Sequence, residues 1–136
     1  MKIALVVSDF NGEVTALMRD RARAHAESLG VEVSHEVHVP GVFDMGLAIK
    51  KLLKREDVDG VVILGAVIKG DTMHDELIST VTARVASDLA LQFDKPVALG
   101  VTGPGMTEAQ AFDRVDNART AVDSVARMVR ALKEIS

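Results

Sequence analysis

Four short apolar segments alternate with longer amphipathic segments along the chain. The apolar segments predict β-strands at residues 2–7, 31–39, 58–67 and 97–101. In the segments that follow them, apolar residues recur at helical spacing, which predicts helices at residues 12–29, 42–53 and 73–94. A last helix is predicted around an apolar stripe that runs from Val115 to Leu132. This alternation is typical of an α/β fold, in which helices pack on both faces of a parallel sheet.

The first two predicted strands differ in their expected burial. Residues 2–7 are almost continuously apolar, as in a central strand that helices cover on both faces. From Val31 to Val39 every second residue is a valine, apart from His35, and polar residues lie between them. This alternation predicts a half-exposed edge strand whose valines share one face of the sheet.

Four loops are candidate positions for a ligand. In an open parallel sheet, ligands bind outside the carboxyl ends of the strands, where the strand order reverses. Asn11 lies in the first of these loops, and we expect its side chain to cap the first helix. The four loops comprise residues 8–12, 39–44, 66–74 and 100–107.

Composition and charge limit the classes of function. With 136 residues, 48% of them hydrophobic, the chain can bury a core, and we expect one domain over residues 1–136. The formal net charge of −4 is spread along the chain, which argues against a nucleic-acid partner. The sequence has neither a membrane-length apolar segment nor a signal peptide, so we expect a soluble cytoplasmic protein without a membrane partner.

The histidines and the absence of cysteine argue against a metal site. Without cysteine there are no disulfides, thiolate nucleophiles or cysteine-based metal sites. His35 and His38 lie three residues apart on a predicted strand, so their side chains point to opposite faces and cannot share one metal ion. We predict no metal site.

Phe10 and residues 39–44 are candidates for binding a planar, hydroxylated ligand. The Phe10 ring follows the first strand and can stack on a flat ligand or pack against the first helix. Backbone N–H groups beside Asp44 can donate hydrogen bonds to hydroxyls or ring amides. Alternatively, Pro40 and Gly41 only form a turn and Asp44 only interacts with the helix dipole. The sequence leaves these roles open.

Residues 65–74 combine glycines, a helix start and a histidine. Free N–H groups near Gly70 and the Thr72 hydroxyl form a candidate phosphate site, although the Asp71 carboxylate would repel a phosphate unless it turned away. The positive end of the helix favours a neutral His74, which would then be available as a proton acceptor. A surface or capping histidine is the structural alternative.

Arg114 and Arg119 fall in the first half of the last predicted helix. A guanidinium group can bind a phosphate through two hydrogen bonds. Most surface arginines bind no ligand, so the sequence alone leaves both possibilities open.

Three ordered motifs together resemble the lumazine synthase family. They are Ser-Asp-Phe-Asn at residues 8–11, Val-Pro-Gly-Val-Phe-Asp at 39–44 and Gly-Ala-Val-Ile-Lys-Gly-Asp-Thr-Met-His at 65–74. Residues 95–101 and 108–114 are similar to the family's fourth strand and final helix, so the match covers nearly the whole chain. It is similar to the compact, archaeal-like form of the family, which lacks an N-terminal extension.

The resemblance implies both a fold and a reaction. The fold is a three-layer flavodoxin-like domain, with helices on both faces of a parallel four-stranded sheet of order 2-1-3-4. The reaction belongs to riboflavin biosynthesis and condenses 5-amino-6-(D-ribitylamino)uracil with 3,4-dihydroxy-2-butanone 4-phosphate. The products are 6,7-dimethyl-8-ribityllumazine, phosphate and water, so the chain would be a transferase that needs no cofactor or metal.

The same resemblance implies roles for individual residues. Asp71, Thr72 and Arg114 would bind the phosphate, and His74 would move protons during catalysis. In the family, the positions of Leu99 and Arg114 reach the site from a neighbouring subunit, which implies a homo-oligomer, either a pentamer or a shell of pentamers. The implied substrate-binding residues are Phe10, which would stack on the pyrimidine, Asn11, Val42, Phe43, Asp44, Ala66, Val67, Ile68 and Leu99.

Two alternatives remain open. Archaeal-type riboflavin synthase shares the fold and condenses two lumazines, but its substrates carry no phosphate, so it would leave the 70–74 loop and Arg114 without a purpose. A non-catalytic flavin-binding or shell-forming scaffold would have kept the fold and lost the reaction. Retention of Phe10, His74 and Arg114 argues against a scaffold.

Overall fold

The computed structural model describes residues 1–70 and 74–136. In these parts of the chain, strands and helices alternate up to the last strand, and two helices then follow one another. The strands are β1 (Lys2–Ser8), β2 (Glu32–Val39), β3 (Gly60–Ile68) and β4 (Val97–Met106). The helices are α1 (Gly12–Ser28), α2 (Met45–Leu53), α3 (His74–Phe93), α4 (Glu108–Asp113) and α5 (Asn117–Ile135), and a 3-10 turn at Val42–Asp44 precedes α2.

The four strands form one parallel sheet in the order β2-β1-β3-β4. The central strands β1 and β3 are buried along almost their whole length, which accounts for their continuous apolar sequence. The predicted α/β fold, with a parallel sheet of order 2-1-3-4 and helices on both faces, is therefore confirmed.

Two apolar cores lie on opposite faces of the sheet. Ile3, Leu5 and Val7 of β1 pack on one face with residues of α1 and α5, whose apolar positions recur at helical spacing. Ala4 and Val6 pack on the other face with residues of α2. Because neighbouring side chains of a strand point to opposite faces, β1 contributes to both cores.

The valines of β2 do not share one face of the sheet, as their alternation had predicted. Ile3 pairs with Val33 but the next residue, Ala4, pairs with His35, so Ser34 is an extra residue in β2. Such a bulge reverses the faces of all later residues in the strand. As a result Val33 packs with the α1–α5 core, whereas Val37 packs with the α2 core.

The region after β4 also differs from the prediction. β4 continues to Met106 instead of ending at residue 101, with residues 103–105 looped out between its pairings with Ala66 and Ile68 of β3. A separate short helix, α4, then precedes α5. Its first turn is capped reciprocally, because Gln110 N donates to the Thr107 hydroxyl and Thr107 N donates to the Gln110 side chain.

Candidate functional site

A cleft of about 250 Å³ opens at the carboxyl ends of β1 and β3. This is the edge of the sheet at which ligands of open parallel sheets bind, as the sequence predicted. Most of its wall is apolar, as in sites for flat organic molecules. The lining residues are Phe10, Asn11, Gly41, Val42, Phe43, Ala66, Val67, Ile68, Gly70, His74, Asp75 and Ile78.

Backbone hydrogen bonds hold the loop after β1 against the loop after β2. Asp9 N donates to the Val39 carbonyl at 2.8 Å, and Phe10 N donates to the Pro40 carbonyl at 3.0 Å. These bonds fix the backbone of Phe10, while the residue stays 72% exposed at the cleft. A ring held by its backbone and left open to solvent is well suited to stacking on a ligand.

Asn11 does not cap α1 with its side chain, contrary to the prediction. Its backbone is left-handed, with φ 59° and ψ 45°, and no hydrogen bond joins its side chain to the helix. Instead Asn11 Nδ2 donates to the Ala66 carbonyl at 2.8 Å, which ties the loop after β1 to the end of β3. Asn11 is thus a wall residue of the cleft that also fixes the distance between two of its sides.

The 3-10 turn at Val42–Asp44 forms another wall of the cleft. Gly65 allows it to pack closely on β3, because a Cβ at residue 65 would lie 2.6 Å from Val42 Cγ2. The Asp44 carboxylate accepts a hydrogen bond from Gly41 N at 3.0 Å, so it stabilises the turn, and Asp44 is not among the lining residues. Phe43 lines the cleft with a side chain that is 67% exposed.

The end of β3 supplies the floor of the cleft. Ala66 and Val67 are buried and Ile68 is half-buried, and all three line it. The Ala66 carbonyl is already bonded to Asn11, and Lys69 N donates to the Met106 carbonyl at 2.8 Å. This floor is therefore tied both to the loop after β1 and to the end of β4.

His74 is the first residue of α3 and lies exposed at the cleft, close to the amino end of that helix. An imidazole in this place can exchange protons with a ligand in the cleft. Asp71 and Thr72, which the sequence suggested as phosphate-binding residues, lie outside the described residues.

The structure adds Asp75 and Ile78 to the residues expected at the site, and it also places there Gly41 and Gly70 of the candidate loops. Helical geometry carried a signal for Ile78, because it lies one turn after His74 on the same face of α3, but none for Asp75, which is adjacent to His74 in sequence. Asp75 Oδ2 accepts a hydrogen bond from Gly105 N at 2.9 Å. No pattern in the sequence indicated that long-range bond.

Leu99 and Arg114 are not brought to this cleft within one chain. Leu99 lies on the edge strand β4 and is 55% exposed. Arg114 lies at the end of α4, where its N–H donates to the Ala111 carbonyl at 3.1 Å, and not in the first half of the last helix as predicted. Both side chains are available to a neighbouring molecule.

A charged cluster lies behind the loop that carries Phe10. Glu36 Oε1 accepts hydrogen bonds from Arg19 Nε at 2.8 Å and Arg23 Nη1 at 2.9 Å. The His38 ring lies 2.8 Å from Glu36 and 3.4 Å from Asp9. Burial raises the pKa of Glu36, but the hydrogen bonds from His38 and Arg19 outweigh it and hold that pKa below its usual value.

Residues 1–70 and 74–136 contain neither a cluster suited to a metal ion nor a helix suited to a membrane. No three His, Asp or Glu side chains there are grouped so that they could hold a metal ion. No helix in these ranges combines the length and the apolar character needed to cross a membrane.

Comparison with known proteins gives a consistent result over the whole chain. A sequence model of the 6,7-dimethyl-8-ribityllumazine synthase family matches residues 1–133. The chain is 50% identical over 135 residues to the 6,7-dimethyl-8-ribityllumazine synthase of Methanococcus maripaludis strain S2, covering 99% of this chain and 98% of the relative. It is 50% identical to that of Methanocaldococcus jannaschii, covering 99% and 96%, and 51% identical to that of Picrophilus torridus, covering 98% of both.

Proposed function

The chain belongs to the 6,7-dimethyl-8-ribityllumazine synthase family, and from this premise we propose that its cleft catalyses the lumazine-forming step of riboflavin biosynthesis. In that step 5-amino-6-(D-ribitylamino)uracil condenses with 3,4-dihydroxy-2-butanone 4-phosphate, releasing phosphate and water. The observation that carries the proposal is the cleft itself, in which an exposed ring at Phe10 and an imidazole at His74 line the same apolar space.

The uracil substrate fits the side of the cleft between β1 and β3. We assign Phe10 to stacking on its pyrimidine ring, and the backbone at residues 66–68 to the polar edge of that ring. The ribityl chain then extends along the 3-10 turn at residues 42–44. Because the Asp44 carboxylate accepts a hydrogen bond from Gly41 N, we assign it to positioning the N–H groups of the turn. Asn11 holds the loop after β1 at a fixed distance from β3 through its bond to Ala66.

The phosphate is assigned to the start of α3, with Asp71 and Thr72 contributing their loop backbone. Arg114 then completes this site from a neighbouring subunit, and Leu99 walls the uracil side in the same way. Support comes from their positions, because neither residue lines the cleft of its own chain and Leu99 is exposed on an edge strand. We therefore propose a homo-oligomer, a pentamer or a shell of pentamers, as the active species.

His74 is the residue that we assign to proton transfer. The amino group of the uracil substrate attacks the ketone, and loss of water gives an imine. Removal of a proton from the adjacent carbon then expels phosphate and leaves an enol, which tautomerises to a ketone. Attack of the ribityl-bearing amino group on this ketone closes the second ring and releases a second water. His74 accepts and returns protons in these steps, while the cleft contributes by holding two substrates in one orientation, which removes much of the entropic cost of a bimolecular reaction.

The test is formation of 6,7-dimethyl-8-ribityllumazine from the two substrates, followed by absorbance. We expect His74→Ala to lower kcat by about 10²-fold without abolishing turnover, since general acid–base catalysis contributes about 10²–10⁴-fold. Arg114→Ala should mainly raise KM for the phosphate substrate. Arg119→Ala is the matched control on the adjacent helix α5 and should behave like the wild type.

Two results would contradict the proposal. Wild-type kinetics in both His74→Ala and Arg114→Ala would contradict the roles assigned to these two residues. No product from the wild-type protein would remove the reaction, and conversion of lumazine alone to riboflavin would then identify a riboflavin synthase.

A further inference from the structure

Asp75 is a buried carboxylate at the cleft. It is only 7% exposed, and it is the one acidic side chain among the buried residues that the structure describes. No Lys, Arg or His in residues 1–70 and 74–136 lies within salt-bridge distance of it. Burying a carboxylate away from a positive charge is costly, so a specific hydrogen bond must offset that cost.

The hydrogen bond in question joins Asp75 to the end of β4. Asp75 Oδ2 accepts from Gly105 N at 2.9 Å across 30 residues of sequence. An ionised acceptor makes this bond stronger than one between neutral groups. Asp75 also lies in the first turn of α3, where the helix dipole favours a negative charge.

Gly105 belongs to the looped-out segment 103–105, which packs closely on β3. Gly103 has φ 111°, and a Cβ there would lie 2.3 Å from the Val67 carbonyl oxygen, which forms part of the cleft floor. Beyond the segment, Met106 accepts from Lys69 N, and Thr107 caps α4. The segment is thus held by β3 beneath it and by Asp75 on α3.

The position of Asp75 connects two parts of the proposed machinery. On one side it directly follows His74. On the other side it holds the segment that leads into α4, at the end of which Arg114 lies. Any shift of the 103–105 segment relative to α3 would move α4 and its arginine with respect to the start of α3.

We propose that Asp75 is a positioning residue, which fixes the start of α3 and the 103–105 segment relative to one another through Gly105 N. This inference rests on the proposed function, because it gives Asp75 a role in placing His74 for its own cleft and Arg114 for the neighbouring subunit's cleft.

The test compares Asp75→Ala, Asp75→Asn and Glu76→Ala in the intact, assembled enzyme. Asp75→Ala removes the acceptor, and we expect kcat to fall and KM for the phosphate substrate to rise, each about tenfold, as misplacement of about 1 Å can cost up to 10²-fold. Asp75→Asn keeps an acceptor oxygen and should stay within about threefold of wild type. Glu76→Ala removes a charge from the same turn of α3 at an exposed residue and should change little.

Binding of inorganic phosphate, measured as product inhibition, provides a second readout. Its inhibition constant should rise with Asp75→Ala in parallel with KM, whereas a purely structural role would change the unfolding midpoint and leave both constants unaltered. If Asp75→Ala does not fold, Asp75→Ser replaces it, because serine suits a helix start but its hydroxyl is too short to reach Gly105. The same kinetic losses are expected.

The possible outcomes separate this inference from the proposed function. An inactive wild-type protein counts against the proposed function. An active wild type with unchanged Asp75→Ala kinetics overturns the positioning role alone. Equal losses in Asp75→Ala and Asp75→Asn would also overturn it, because they would show that charge, and not the bond to Gly105, is what matters.

Discussion

The helices α3 and α5 are similar in length, 20 and 19 residues, but they are buried very differently. α5 buries six residues, all of them alanine or valine, on one face against the sheet. α3 buries three, Asp75, Thr82 and Ala86, while Leu77 and Leu91 remain exposed. A helix with apolar residues around much of its circumference is expected to be covered on more than one side. Contacts within one chain therefore bury the apolar face of α5 but leave large apolar residues of α3 exposed.

Ion pairs show the same contrast between the two sides of the sheet. α1, which packs beside α5, is paired to other elements through Arg19 and Arg23 with Glu36 of β2, and through His25 with Asp123 of α5. The ion pair found on α3 among the described residues joins Arg84 and Asp88 within that helix. The α1–α5 layer is thus joined to the rest of the fold by ion pairs within its own chain.

Exposed leucines are concentrated on the other side. Leu47 of α2 is 75% exposed and Leu91 of α3 is 77% exposed, and Leu99 lies on the adjacent edge strand β4. Exposed apolar surface of this kind marks an interaction site. It is also the side from which the proposed oligomer would bring Leu99 to a neighbouring cleft, so we expect the contrast between α3 and α5 to disappear on assembly.

The largest effect on assembly and activity is expected from charges placed among the exposed leucines of α2 and α3. The double substitution Leu47→Glu with Leu91→Glu should prevent assembly and yield a 14.6 kDa monomer, with activity reduced at least about tenfold because the shared sites are lost. Sedimentation velocity measures the mass. Leu17→Glu with Met128→Glu places the same charges on exposed residues of α1 and α5 and should leave the assembly intact. Dissociation of both double variants would contradict the prediction that only the surface of α2 and α3 takes part in assembly.

A smaller effect is expected from truncating a buried side chain in the α1–α5 layer. Val122→Ala, at a fully buried position of α5, should lower the free energy of unfolding by about 2 kcal/mol through lost apolar burial and a small cavity. Urea unfolding at several protein concentrations measures this, and the loss should be the same at each concentration. Leu91→Ala should instead weaken the concentration dependence of the midpoint. A concentration-dependent loss for Val122→Ala would show that α5 also depends on assembly.

The smallest effect concerns the Glu36 cluster that fastens α1 to β2. Because the folded protein holds the pKa of Glu36 below its unfolded value of about 4.3, the ionised carboxylate stabilises the fold above that pH. This stabilisation is lost as pH falls through the folded pKa. Glu36→Gln should therefore cost about 1 kcal/mol at pH 7. The difference from wild type should shrink as pH falls below the unfolded pKa, and a difference independent of pH would assign the effect to packing.

The sequence predicted the cleft better than it predicted the bonds that shape it. The place of four groups at the carboxyl edge of the sheet followed from the order of elements, because each lies at the end of a predicted strand or in the loop after it. They are Phe10, residues 42–43, residues 66–68 and His74. The partner of Asn11 could not be predicted, because a helix-capping residue and a residue that bonds another strand have the same local sequence. The actual partner, Ala66, lies 55 residues away.

What the sequence by itself determined is the order of strands and helices, the continuous burial of β1 and β3, and the end of the sheet at which a site forms. These features depend on apolar periodicity, which is local and is repeated over many residues. Only the tertiary structure decided the bulge at Ser34, the bond from Asn11 to Ala66 and the bond from Gly105 to Asp75. Each of these depends on pairing between distant segments, where a shift of one residue changes which groups meet, and such a choice leaves no periodic trace in the sequence.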